Sequence, residues 1–235
     1  MCFDTENPGG AVTIAVLDGF DGDSRVVGIN YRPADGVLYG LGDHGGVYTV
    51  DADSASVSLV GRLSVPLEGA RFDVDFNPTV DRLRIVSDSG QNLRANVDDG
   101  MTTVDGALNT VGPPVVSPIT GVSGAAYTNN DADTATATTL FDISSTTDQV
   151  VIQAPANSGS LNPTGTLGVN ASGGVGFDIY AFLDGSTAVG NEAFSVFSSS
   201  RASRLYGVDL LTGRASEVGA FPRQVVDLAI PPAQG

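Results

Sequence analysis

Apolar residues recur along this chain in short bursts with a period of two, and five of the bursts share one layout. They are GINYR (28–32), DVDFN (73–77), GAAYT (124–128), GFDIY (176–180) and VVDLA (225–229). Their second and fourth positions are always apolar, while the first, third and fifth are mostly small or polar. An alternation of two is the mark of a strand that presents one face to a core. The starts lie 45, 51, 52 and 49 residues apart, so the strand is repeated once per unit of about 50 residues. A second element follows within each unit, in VYTVDADS (47–54), LRANVDDG (93–100), LFDISSTTD (140–148) and LYGVDLLTG (205–213), and each ends in an Asp/Ser/Thr/Gly turn.

An inner strand, middle strands, a turn and an outer strand repeated at this length predict an all-β fold, a five-bladed β-propeller forming a single domain over residues 1–235. A solenoid, the main competitor, is built from shorter repeats. The fifth unit is split. VVDLAI stands near the C-terminus, and CFDTENPGGAVTIAVL at the N-terminus reads as the later half of a blade, so pairing the C-terminal inner strand with the N-terminal strands is expected to close the ring. The third unit is the least regular, because the Thr/Ala-rich DADTATATT stands where a middle strand is expected.

Composition adds habitat to this picture. There are 27 acids against 11 bases, for a net charge of −16, and all 11 bases are arginine. Such a field repels nucleic acid and anionic membrane. An acidic, lysine-free chain also suits concentrated salt, where a screening length of about 3 Å at molar ionic strength suppresses self-repulsion. The chain is therefore read as coming from a salt-adapted microbe, and its thermal midpoint is expected to be higher in molar KCl than in dilute buffer. Equal midpoints in the two would argue against salt adaptation. With no apolar run of 18 residues and no basic-then-apolar leader, the sequence gives no sign of membrane insertion, and an extracellular or cell-surface protein would have lost its leader earlier. Cys2, the single cysteine, has no internal disulfide partner.

The stretch FNPTVDRLRIVSDSGQNLR, with AAYTNN and GTLGVNASGGVGFDI, resembles the motifs of the domain-of-unknown-function 4394 family, repeat-built and often secreted microbial proteins. The resemblance covers nearly the whole chain. It implies a propeller-like fold and brings no activity with it.

Candidate chemistry sits in two places. In a propeller the first strand of each blade lines the axis, so the third positions form a column of Asn30, Asp75, Ala126, Asp178 and Asp227, with Asp73 on the same face as Asp75. Carboxylates gathered there require blade-to-blade hydrogen bonds and water, or a cation. Oxygen ligands without clustered His or Cys suit Ca²⁺ or Na⁺, held by Asp75, Asp178 and Asp227. The NNDADT loop (129–134) is a weaker calcium candidate. On the RLRIVS strand, Arg82 and Arg84 share one face, and with Arg94 they are expected to clamp structure through Asp81 and Asp88; an anion site is the alternative.

Catalytic patterns are scarce: His44, the lone histidine, lies in the turn GDHGG, and no GxSxG, HExxH or phosphate loop occurs. The reading is a non-catalytic binding module for a protein or glycan ligand, expected to be a monomer. Its loops at 129–139, 155–166 and 183–193 would be presented at the propeller's mouths. The alternative is a hydrolase of glycosides or lactones using channel-mouth carboxylates.

Overall fold

The repeated bursts become strands because their apolar positions find partners on both sides, as the computed structural model, which describes residues 1–112, 115–131, 133 and 135–232, makes explicit. A two-stranded hairpin, β1 (Cys2–Asp4) and β2 (Asn7–Val12), comes first. The first four-stranded sheet follows as β3 (Val26–Tyr31), β4 (Leu38–Gly42), β5 (Gly46–Val50) and β6 (Val57–Arg62). The second holds β7 (Phe72–Asn77), β8 (Arg82–Ser87), β9 (Asn92–Ala95) and β10 (Thr102–Val104).

The third sheet has six strands. β11 (Asn109–Gly112) and β12 (Val115–Pro118) precede β13 (Val122–Tyr127), β14 (Leu140–Ser144), β15 (Gln149–Gln153) and β16 (Ser160–Thr166), and β11 joins the sheet by running parallel to β16. The last sheet is β17 (Gly174–Asp184), β18 (Thr187–Ser198), β19 (Ser203–Val208) and β20 (Ala215–Ala220). Among the described residues the only helix is one short 3₁₀ turn, Ala156–Ser158, and no helix is long and apolar enough to cross a membrane.

The four larger sheets stand in a propeller-like arrangement with their first strands side by side: β3 beside β7, β7 beside β13, and β13 beside β17. Apolar layers fill the gaps between them. Leu41, Val74, Phe76 and Leu83 lie between the first and second sheets, Val86, Leu108, Tyr127 and Val151 between the second and third, and Phe141, Ile143, Phe177 and Phe197 between the third and fourth. Each such side chain contributes roughly 1.5–3 kcal/mol by leaving water.

The expected fifth blade does not form as a four-stranded sheet. Residues 225–230 carry no strand pairing among the described residues, and β1 pairs only with β2, through Cys2↔Val12 and Asp4↔Asn7. Two physical reasons stand out. Pro231 and Pro232 lack the amide hydrogens a longer ladder would use, and β2 packs beside β20, with Pro8 against Gly219, so the hairpin meets the C-terminal segment through side chains, Phe3 and Ala11 packing with Val225 and Leu228. That segment nevertheless lies tightly on β17: a side chain at Gly176 would meet Asp227 Cα at 2.6 Å. Leu228 is buried with Phe194, Val196 and Phe221, whereas Val226, expected to be its apolar companion, is 73% exposed.

The third sheet also differs from expectation. LFDIS is the second strand there, paired directly with β13, whereas VYTV, LRA and LYGV are third strands. Among its described residues the Thr/Ala-rich stretch (131–139) forms no strand. Of the three expected loops, 155–166 is largely β16 and 183–193 is the β17–β18 hairpin; only 129–139 is loop in its described part.

Candidate functional site

The axial column consists of aspartates that reach across from one inner strand to the next. Asp73 Oδ2 accepts the amide of Ala125 at 2.9 Å, Asp75 Oδ2 that of Tyr127, and Asp178 Oδ2 that of Ile230 at 2.6 Å. Asp227 Oδ2 accepts the amide of Ile29 at 2.7 Å, joining the C-terminal segment to β3. In Asp73, Asp178 and Asp227 the other oxygen accepts the amide of the following residue, at 2.9, 2.7 and 2.8 Å. Each of these carboxyls thereby stitches two stretches of backbone that no ladder connects. Asn30 faces Asp178 and Asp73 faces Asp227 as side-chain partners, while Ala126 contributes only a methyl group to the column.

Sealing these acids together raises their pKa values. Burial is the main cause throughout. It pushes Asp178 up to about 7 and Asp227 up to about 8 against the opposing pull of the amides, and it lifts Asp73 and Asp75 well above the usual range with help from the neighbouring Asp227 and Asp178. Asp73, Asp75 and Asp178 are at most 1% exposed. Seven of the eight oxygens of these four aspartates accept amides; the eighth, Asp75 Oδ1, has no hydrogen-bond partner among the described residues.

The arginine stretch builds a second polar centre, between the second and third sheets. The turn NPTVD is closed by Asn77 Oδ1, which accepts the amides of Thr79 and Val80, and by Asp81 in the left-handed region at φ 49°. Arg84, in mid-β8, is pointed away from the Leu83/Ile85 face and is 1% exposed. Its guanidinium donates to Tyr127 Oη at 3.2 Å, Asn92 Oδ1 at 2.7 Å, Asp105 Oδ2 at 2.7 Å and Asn157 Oδ1 at 2.9 Å. Arg94 grips the same Asp105 with two bonds, at 2.6 and 2.9 Å. Asp142 lies buried nearby with neither oxygen hydrogen-bonded among the described residues; burial pushes its pKa well up and Arg84 only partly opposes this.

The carboxylates expected to partner these arginines are elsewhere. Asp81 binds Arg32, at 2.8 and 2.5 Å, and Asp98 joins the same guanidinium at 3.1 and 3.2 Å. Asp88 Oδ1 accepts the amides of Ala70 and Arg71, tying down the approach to β7. Arg82 donates to the carbonyls of Val80 and Asp81. Asp105, the carboxylate that does the clamping, follows β10 and belongs to no repeated motif. Its only sequence signal is that it stands before a Gly at the end of a short strand.

His44 is exposed in the β4–β5 turn, but Asp43 and Asp23 come within 4.8 Å of it and make a cluster that sequence spacing did not suggest. Burial raises the pKa of Asp23, yet Tyr48 at 2.8 Å, the amides of His44 and Gly46 and the Arg62 guanidinium more than offset this and hold it below the usual range. Part of the NNDADT loop lies outside the described residues; within it Asp131 Oδ2 accepts the amide of Ala188 at 3.0 Å, and Asp133 Oδ1 that of Ala135.

Comparison with known proteins places the chain by sequence. No curated protein matches it. Among solved structures it is similar to the hydrazine synthase of Kuenenia stuttgartiensis (12% identity, TM-score 0.45, 88% of this chain and 53% of that one). It is also similar to auxiliary nutrient binding proteins of Bacteroides thetaiotaomicron (13%, TM-score 0.42, 82% and 47%) and Bacteroides ovatus (12%, TM-score 0.43, 83% and 48%). The chain spans about half the length of each. The family model described as a domain of unknown function (DUF4394) matches residues 1–229, and the chain belongs to that family.

Proposed function

We propose that this chain is a non-catalytic binding module of a salt-adapted microbe, acting outside the cell or at its surface, with the β1–β2 hairpin and residues 225–230 as a reduced fifth blade. The observation that carries the reading is the burial of Asp73, Asp75 and Asp178, with the half-buried Asp227 held by two amides. A glycosidase or lactonase needs an acid and a base that reach the substrate. Here the acids that would serve, Asp75 and Asp178, are at most 1% exposed, and Asp227 spends both oxygens on amides. Their chemistry is that of staples between inner strands. The reduced fifth blade is supported by Asp227, which repeats toward β3 what Asp73 and Asp75 do toward β13.

A panel of chromogenic glycosides, esters and lactones, assayed in high salt with calcium, is expected to give no turnover above buffer. Turnover that disappears in a folded Asp75→Asn or Asp227→Asn variant would overturn the binding-module reading in favour of a hydrolase.

A further inference from the structure

A cleft of about 520 Å³ opens between the second and third sheets, and its lining includes Arg82, Arg84, Arg94, Asn77, Asn157 and Pro155. In a chain with 27 acids and 11 bases, three arginines around one cavity reverse the overall charge locally. The charge is only partly cancelled. Arg84 and Arg94 share one carboxylate, both reaching Asp105 Oδ2, and Arg82 meets no carboxylate among the described residues. Asp81, beside Arg82 in sequence, is held by Arg32 at the first-sheet side, with Asp35 and Asp98 around the same guanidinium. Asp142, behind Arg84, is raised toward its neutral form by burial.

Donors are left over as well as charge. A guanidinium has five N–H groups. Those of Arg84 have four bonds, leaving one on Nη2; Arg94 uses only Nε and one on Nη2, both on Asp105; Arg82 uses only Nη1, among the described residues. Arg84 is held rigidly, with its side chain 2% exposed, and Arg94 and Arg82 stand at the more open rim. A fixed guanidinium at the floor with one N–H to spare, and two freer forks above, form a built receptor for oxygen anions, since arginine matches carboxylate, phosphate and sulfate geometry with charge-assisted bonds. The volume lies within the 300–1,000 Å³ usual for small-molecule sites, and Val80 and Pro155 give the wall an apolar side for a carbon skeleton.

We propose that this cleft binds the oxyanion group of a small organic ligand, a carboxylate or a phosphate or sulfate ester, through Arg82, Arg84 and Arg94. The proposal rests on the binding-module reading and gives it a ligand class. It fits the general way of recognising anions in an acidic protein: a local positive site inside a negative field selects by contact, because long-range attraction is absent and salt screens what remains.

Isothermal titration of the full chain at constant ionic strength, with glucuronate, inorganic phosphate, sulfate and neutral glucose as probes, tests it. Saturable binding of at least one anion, with none for glucose, is expected. Glucuronate alone would identify a carboxylate ligand, and phosphate or sulfate alone a tetrahedral one. Arg82→Gln and Arg94→Gln, both at the rim and checked for cooperative melting within about 4 °C of the parent, should each weaken binding about tenfold, as expected for loss of a charge-assisted bond. No saturable binding by any anion would overturn the proposal, as would affinity unchanged in both variants or glucose binding as tightly as glucuronate. None of these would touch the binding-module reading, which fails only on turnover in the substrate panel.

Discussion

In molar KCl, the thermal midpoint at pH 5 is expected to exceed that at pH 8.5 by roughly 10 °C, a reversal of the mild rise toward neutral pH shown by many proteins. The cause is the axial column. Asp178, raised to about 7, and Asp227, raised to about 8, bind protons in the folded state that an unfolded aspartate near 3.8 has already released. Asp73, Asp75 and Asp142 are raised in the same direction by burial. A raised group contributes stability that is fully present below about 3.8 and is lost as pH climbs through its folded value. Stability should therefore fall between pH 4 and pH 8, and each tenfold gain in proton affinity on folding corresponds to about 1.4 kcal/mol. Because the acids are coupled, the sum is a few kcal/mol, with each kcal/mol worth about 2–4 °C in a chain of this size.

Below pH 4 the balance inverts. Asp43, held down by the amide and hydroxyl of Ser24, and Asp81, held down by Arg32, lose their favourable bonds on protonation. A maximum near pH 4 follows. High salt removes the competing effect of surface self-repulsion, and Asp178→Asn and Asp227→Asn should each flatten the slope. A midpoint that is level or higher at pH 8.5 would refute the protonated column.

The inner strands were legible because both of their signals are local and repeated: alternation of two, and a spacing that hardly changes. The cross-strand staples were legible only as a column. That Asp73, Asp75 and Asp178 each accept an amide 52 residues onward follows from one blade lying beside the next, and a main-chain donor leaves no trace in residue type. The third sheet departs from expectation for the opposite reason. LFDIS has the same residue pattern as the third strands elsewhere, and only its pairing with β13 distinguishes it. The fifth unit kept the inner-strand pattern at Asp227 and Leu228 but lacks neighbours in the sheet, so Val226, apolar by pattern, stands in solvent. Arg84 was expected to pair with Asp81 and Asp88, and its guanidinium instead meets Asp105, 21 residues away in the connection after β10, because a long, forked side chain finds its carboxylate through the packing of two sheets and not through proximity in sequence.

That clamp sets the other large effect. Arg84→Met is expected to lower the melting midpoint by roughly 10 °C, corresponding to about 3–5 kcal/mol, the usual cost of breaking a buried ion pair by removing one partner. The methionine replaces volume but none of the donors. Asp105, its side chain 5% exposed, keeps only the half-open Arg94. Tyr127 Oη and Asn157 Oδ1 lose the donor from β8 that ties the second sheet to the third, and Asn92 Oδ1 keeps only Gln153 at 3.3 Å. Arg84→Lys should recover less than half of the loss, since an ammonium cannot reach four acceptors set in a planar fork. Arg94→Gln, at a site 31% exposed, should cost about 1 kcal/mol. Adding Asp105→Leu to Arg84→Met should restore part of the midpoint, because the stranded buried charge is the larger share of the penalty. An Arg84→Met variant that melts within about 2 °C of the parent would show that the guanidinium is dispensable and that the two sheets are held by their apolar layer alone.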